Sequence, residues 1–319
     1  MRKKLIHEAA KLYYLKNMTQ METAKILGIS RSKVSRLLKE AKEKGYVQIN
    51  IVSPDERCTE LEELLKKYFY ISEAIVAPLI SENNSAIRKN IGRMAAERLE
   101  NELKDGDLLG LAWGRTLYEV VTNLQPIQLE GLRVVQVIGG LGIILNQIYP
   151  HEIVNKAARS LAGLCFYLYA PAIVENAVAK EAIIKTETVN NVIRMYNSLD
   201  IIVLGLGTLD PSSHLIKSTK TLTPEKLENL KSLGAVGELC GRFYDINGEM
   251  CKTELNNNVI GISLEQIRRA QNVIGVVGGD DKHKALLGAL RGGFFKTIIT
   301  DESCATEVLK MQNKAFKSG

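Results

Sequence analysis

Thr19-Gln20-Met21-Glu22-Thr23-Ala24-Lys25-Ile26-Leu27-Gly28-Ile29-Ser30-Arg31-Ser32-Lys33-Val34-Ser35-Arg36-Leu37-Leu38-Lys39 holds two helix starts and one turn. Thr19 with Glu22 three residues on is a capping-box pattern, and it predicts a helix over about 20–27. Gly28 supplies a turn, and Ser30 caps a further helix from Arg31 to about Lys44. The spacing Ala24, Gly28, Val34 suits a tight helix-turn-helix. Such a unit needs a small residue where the helices cross, a glycine for the left-handed turn, and an apolar anchor on the second helix. Ile26, Leu27, Ile29, Leu37 and Leu38 are expected to fill its interior. Upstream, Leu5, Ala9, Ala10, Leu12, Tyr13 and Tyr14 predict an amphipathic helix over about 3–16. Downstream, the alternation in 46–52 predicts a short strand, which makes the unit a winged variant, and Ser53-Pro54-Asp55 signals the turn that closes it.

Charge supports the same division. The 319-residue chain carries a formal +6, yet residues 1–50 alone hold twelve Lys/Arg against four Asp/Glu. The remainder is close to neutral. A compact basic module on a near-neutral body is the electrostatic footprint of a polyanion binder, whereas a merely solvated basic face carries no helix-turn-helix spacing. The exposed face of the third helix is expected to be Arg31, Ser32, Lys33, Ser35, Arg36 and Lys39, with Thr19 and Gln20 at the start of the second helix completing the candidate contacts to double-stranded DNA. Arg31, Ser32 and Ser35 are placed to reach bases, Arg36 bases or phosphates, and Lys33 and Lys39 phosphates.

The body reads as α/β. After a short helix around 60–66, placed to join the two parts and to contribute to dimer contact, and another over about 85–103, apolar runs of four to six residues lead into glycine. They are 108–113 before Gly114-Arg115-Thr116, 134–138 before Gly139-Gly140, 201–204 before Gly205-Leu206-Gly207, and 273–277 before Gly278-Gly279-Asp280-Asp281-Lys282. Thr297–Thr300 precedes a last helix. Such runs indicate a largely parallel sheet covered by helices. Asn247-Gly248 favours a hairpin turn within an insertion at 241–249. In a parallel sheet ligands gather at the carboxyl ends of strands, where glycine lets backbone N–H groups surround an anion and a helix N-terminus adds its dipole. Arg115 and Lys282 can balance phosphate charge, and Thr116 can donate a hydroxyl.

Other classes find little support. Neither a nucleoside-triphosphatase loop nor a dinucleotide fingerprint is present. A 45% hydrophobic, 24% charged composition excludes global disorder, and no apolar stretch approaches the ~20 residues of a membrane-spanning helix. Five cysteines without a C-x-x-C pair fit a reduced, cytoplasmic protein without cofactor or metal. A catalytic body, a sugar-phosphate isomerase or hydrolase carrying a DNA-binding head, is the competing interpretation. It needs a positioned acid/base pair, but His7, His151, His214 and His283 are scattered, and hydrogen bonding to hydroxyls accounts for Glu238 and Asp245 equally well.

Taken jointly, Leu12-Tyr13-Tyr14, Met18-Thr19-Gln20, Gly28-Ile29-Ser30-Arg31 and Val34-Ser35-Arg36-Leu37-Leu38 resemble the SorC family of sugar-responsive bacterial transcriptional regulators. So do Gly106-Asp107, Trp113-Gly114-Arg115-Thr116, Gly139-Gly140, Gly234-Ala235-Val236-Gly237-Glu238, Arg242-Phe243-Tyr244-Asp245 and Gly278-Gly279-Asp280-Asp281-Lys282. The resemblance implies a winged helix-turn-helix (1–53) joined through a linker region (54–84) to an effector-binding and oligomerisation domain (54–319) of the phosphosugar-isomerase-like α/β class. It implies a homotetramer or homodimer that binds operator DNA under control of a phosphorylated sugar. By the same resemblance Gly114, Arg115, Thr116, Gly278, Gly279 and Lys282 fall at the phosphate, Glu238 and Asp245 near sugar hydroxyls, and Gly139 and Gly140 in the same set of strand ends. Arg115 stands where many relatives have a small hydroxyl residue. Ile138 stands where a lysine could trap an aldehyde, so a covalent effector is not expected.

Overall fold

The computed structural model describes residues 2–16, 18–47, 57–81, 83–140, 149–211, 213, 215–216 and 221–317, with side chains described as far as 313. The chain forms two compact units, 1–54 and 55–319. In the first, α1 (Arg2–Ala10) runs into a π-helical turn over Lys11–Leu15, so the helix expected over 3–16 changes its winding midway. In α2 (Gln20–Leu27) the Thr19 hydroxyl accepts the Glu22 amide at 3.2 Å, and the Glu22 carboxylate accepts the Thr19 amide at 2.8 Å. Gly28 ends α2 at φ +63°, where a Cβ would be strained. The Ser30 hydroxyl accepts the Lys33 amide and starts α3 (Arg31–Glu43).

Ile6, Ala9, Ala24, Val34, Leu37, Leu38 and Ala41 form this unit's core. Ile26 corrects the sequence expectation, being 57% exposed. At 100° per residue it lies 200° round α2 from buried Ala24, so both cannot face inward. The Val47 amide donates to the Ala41 carbonyl and Val47 packs on this core. The rest of the expected wing strand and the Ser53-Pro54-Asp55 turn lie outside the described residues.

The second unit opens with α4 (Thr59–Phe69), β1 (Glu73–Ala77), α5 (Asn84–Glu100), β2 (Leu108–Leu111), α6 (Arg115–Asn123) and β3 (Arg133–Gln136). It continues through α7 (Pro150–Ser160), β4 (Leu164–Phe166), α8 (Ala177–Ile184), α9 (Glu187–Met195), β5 (Ile201–Leu204) and α10 (Pro224–Ser232). β6 (Ala235–Leu239), β7 (Arg242–Asp245), α11 (Glu254–Asn257), α12 (Leu264–Arg269), β8 (Val273–Val276), α13 (His283–Arg291), β9 (Thr297–Asp301) and α14 (Glu302–Lys317) complete it.

Seven strands form one sheet in the order β1-β9-β8-β5-β2-β3-β4, parallel at every pairing. The apolar runs at 108, 134, 201, 273 and 297 became its interior strands; the two that sequence reading missed, β1 and β4, are its edges. β6 and β7 pair separately and antiparallel. Their turn is Cys240-Gly241, both at positive φ, while Asn247-Gly248 makes the next reversal and brings Met250 back to Tyr244. From β2 the chain winds outward through β3 to β4, and from β5 it winds the other way through β8 and β9. The boundary between β2 and β5 is therefore a topological switch point, where the carboxyl-end loops diverge and leave a crevice. Among the described residues no helix is long and apolar enough to cross a membrane.

Candidate functional site

A cleft of about 440 Å³ opens at that switch point. Residues 112–117 follow β2 into its wall, residues 205–207 follow β5, and Gly278, Asp281 and Lys282 follow β8. The first residues of α5 close it with Asn83, Asn84 and Ser85, and Arg88 lies one turn further. Helix starts of α5, α6 and α13 thus meet here. The residues that precede α6 and α13, Gly114 and Lys282, make no side-chain cap to either helix. Uncapped N–H groups together with the helix dipole favour an anion.

Charged side chains of both signs line the cleft. Arg88, Arg115 and Lys282 line the cleft along with Asp210, Asp281 and Glu238. Lys282 Nζ lies 3.1 Å from Asp281 Oδ2. Burial first, and then the neighbouring charge of Arg115, hold the Arg88 guanidinium below its ordinary value. Glu238 is buried and accepts the Gly241 amide at 2.7 Å. Burial pushes its carboxyl above the ordinary range, against the smaller opposing pulls of that amide and of Lys282. Two further polar atoms in the lining, Ser213 Oγ and Asn84 Oδ1, are buried and have no hydrogen-bond partner among the described residues. Groups in that condition are rare and are commonly met by a ligand or water.

Glycines give the backbone its close approaches. A Cβ on Gly207 would overlap the Glu238 carboxylate, and one on Gly278 would come within 2.8 Å of Asp301 Oδ2. The Asp301 carboxylate accepts the Gly279 amide at 2.8 Å and the Cys304 amide at 3.0 Å, which fixes the loop after β8.

Of the residues nominated from sequence, Gly114, Arg115, Thr116, Glu238, Gly278 and Lys282 come together in this lining. Gly279 stands beside it, its amide on Asp301. Gly139 and Gly140 donate their amides to Ile260 and Ala170, and Gly140 faces a different depression beside Tyr149 and Tyr167. Asp245 lies outside the cleft, where Oδ1 accepts the Asn247 and Glu249 amides at 2.9 Å and shapes the turn after β7. Sequence reading did not single out Asn84, Arg88, Asp210 or Ser213. Among the histidines, His7 is exposed on α1, His151 opens α7 stacked on Tyr149, and His283 opens α13; His214 lies outside the described residues.

Because the Glu238 carboxyl is raised in the folded state, its ionisation opposes folding, and stability falls as pH rises from ~4 through the folded pKa. Glu238→Gln removes that ionisation while keeping an acceptor for the Gly241 amide. The variant is expected to melt higher than the wild type at pH 8, with the gap shrinking towards pH 4. Equal melting temperatures across that range in differential scanning calorimetry would contradict this.

In the first unit, Arg31, Ser32, Lys33, Ser35, Arg36 and Lys39 are all exposed on α3, opposite buried Val34, Leu37, Leu38 and Ala41. Ser32, Arg36 and Lys39 share one stripe at helical spacing. Thr19 is exposed but its hydroxyl serves the capping box, and Gln20 is half-buried.

Comparison with known proteins follows this division. A family model described as a sugar-binding domain matches residues 53–310, and one for sigma-70 region 4 matches residues 10–44. The chain is 34% identical over 298 residues to a deoxyribonucleoside regulator of Bacillus subtilis, covering 93% of this chain and 95% of the relative. It is 31% identical over 316 residues to the sorbitol operon regulator of Klebsiella pneumoniae, covering 96% and 98%. The crystal structure of the full-length Klebsiella regulator superimposes with a TM-score of 0.72 at 29% identity, covering 96% of this chain and 98% of that one.

Proposed function

Since this chain belongs to the SorC family of sugar-binding transcriptional regulators, we propose that a phosphorylated sugar bound in the switch-point cleft controls its affinity for operator DNA. It is a DNA-binding regulator with a sugar-binding domain, not an enzyme. The observation that carries the finer proposal is the cleft's two-sided chemistry. Cations and uncapped helix starts suit a phosphate, while Glu238, Ser213 Oγ and Asn84 Oδ1 offer hydrogen bonds to hydroxyls. Relatives named for deoxyribonucleosides and sorbitol fit the hydroxyl-rich part of such an effector.

In this reading α3 enters the major groove, and a homodimer or homotetramer presents paired copies to half-sites about one helical turn (~34 Å) apart. An effector alters DNA affinity only through unequal affinity for the two oligomer conformations, and a coupling of ~1–3 kcal/mol changes operator affinity about 5–150-fold. The test selects duplexes from a random pool with full-length protein, then titrates binding with a panel of sugar phosphates and their unphosphorylated counterparts. At least one phosphorylated sugar is expected to shift the operator Kd within that range, with its free sugar inert. No shift at millimolar concentration across the panel overturns the proposal.

A further inference from the structure

A second depression, of about 520 Å³, opens where β3 and β4 end, and it shares no lining residue with the switch-point cleft. Its volume suits a small molecule, and the carboxyl end of a parallel sheet is where such ligands gather. Four aromatic rings line it. Tyr149 and His151 come from the start of α7, their rings near-parallel with centroids 5.4 Å apart and 23° between planes. Tyr167 and Tyr169 follow β4, with centroids 5.9 Å apart, and Tyr169 is 72% exposed. Among the described residues no Asp, Glu, Lys or Arg lines the depression. A hydrogen bond with the Cys165 side chain, and then burial, push the Tyr167 hydroxyl up to about 12, so that ring stays uncharged at neutral pH. Gln136, the last residue of β3, is a polar side chain in this lining and only 3% exposed. Its Nε2 donates to the Ile138 carbonyl at 2.7 Å, while its Oε1 receives no hydrogen bond among the described residues.

We propose that this depression is a second binding site, for an uncharged nucleobase-type ring that stacks on the tyrosines and donates an edge N–H to Gln136 Oε1. The site goes beyond the sugar-phosphate reading above and does not depend on it. A phosphate finds no cationic side chain in this lining, in contrast with the switch-point cleft. An aliphatic ligand would leave the Gln136 acceptor covered and without a donor, which is costly. A free sugar brings donors but no π-face to set against four aromatic rings. A planar heteroaromatic ring meets both demands, because aromatic side chains stack on the face of any base while its edge carries the N–H.

The test uses full-length protein without DNA, with thymidine and deoxyadenosine as probes and free deoxyribose as the control. Titration calorimetry reads affinity, and saturation-transfer NMR reads which protons of the probe touch the protein. At least one nucleoside is expected to bind at submillimolar concentration, with stronger transfer to its base protons than to its sugar protons. Tyr169→Ala and His151→Ala change exposed side chains and leave the core intact. Each is expected to weaken the nucleoside about fivefold or more, the loss of one stacking partner. A counterpart of the same nucleoside methylated at its edge nitrogens is expected to bind about threefold or more weakly, having no N–H for Gln136 Oε1. No binding at millimolar nucleoside overturns the proposal, as does wild-type affinity in both variants or a methylated counterpart that binds as well as its parent. Deoxyribose that displaces the nucleoside on equal terms would make the site one for sugars and overturns the ring assignment. Without nucleoside binding, a loss of self-association in Tyr169→Ala by sedimentation would make the depression a face between copies of this chain, again overturning it. If nucleoside binds here as described while no sugar phosphate alters operator affinity, the sugar-phosphate reading fails and this one stands.

Discussion

Arg242→Met in the full-length protein is expected to lower the unfolding free energy of the sugar-binding unit by about 3–5 kcal/mol. Arg242 is 8% exposed, and among the described residues no carboxylate forms an ion pair with it within 4 Å. Its Nε donates to the Ile262 carbonyl at 3.0 Å, Nη1 to Asn256 at 2.6 Å, and Nη2 to Gly261 at 3.2 Å. The segment carrying these carbonyls pairs with the chain after β3, where the Gly139 amide donates to Ile260 and Ile138 bridges Gly261. One guanidinium therefore ties β7 to the loop that covers the end of β3. Methionine fills part of the volume but leaves three carbonyls, those of Ile262 and Asn256 in buried positions, without this donor, at about 1–3 kcal/mol for each one that water cannot reach. Arg242→Lys should recover little, because an ammonium cannot reproduce the planar fork. Urea unfolding followed by Trp113 emission reads this unit directly, since its tryptophan is the only one in the chain. A midpoint within error of the wild type would show that the loop carbonyls find other partners.

What the sequence disclosed and what it hid follow one physical rule. The helix-turn-helix was legible because Thr19 with Glu22, Gly28 and Ser30 act on neighbours within four residues. The interior strands were legible because burial on both faces leaves continuous apolar runs such as Leu108–Leu111 and Ile201–Leu204. The edges were not. β4 has only three residues with Leu164 64% exposed, and the apolar run of β1, Ala74–Ala77, is short, half alanine and set between Glu73 and Pro78 without a glycine after it. The cleft divides in the same way. Gly114, Gly278 and Lys282 announce themselves at strand ends, but Arg88 arrives from a helix whose first turn meets those ends only through the sheet's strand order. Asp245 shows the converse, since a carboxylate two residues before Asn247-Gly248 also suits a turn, and its bonds to the Asn247 and Glu249 amides are of that kind.

With α3 in the major groove as proposed, Arg31 towards bases and Arg36 towards bases or phosphates, replacing both by alanine is expected to weaken selected operator duplexes about a hundredfold, through a loss of ~1–3 kcal/mol at each arginine. Both are exposed on α3 and, among the described residues, neither forms an ion pair within 4 Å, so no intramolecular bond must break before they meet DNA. Lys39 differs, with Nζ 3.9 Å from the Glu43 carboxylate, and Lys33 at the start of the helix has no partner of that kind among the described residues. Lys33→Ala should therefore weaken selected and random duplexes alike and reduce the salt slope by about one, whereas Arg36→Ala should also narrow the ratio between them. Because Val34, Leu37 and Leu38 hold the opposite face, these exposed substitutions leave the core contacts of the unit unchanged. The melting temperature of the double variant should match the wild type, which separates a lost DNA contact from general damage. Unchanged affinity for both kinds of duplex in the double variant would place some other surface of the basic unit against the DNA.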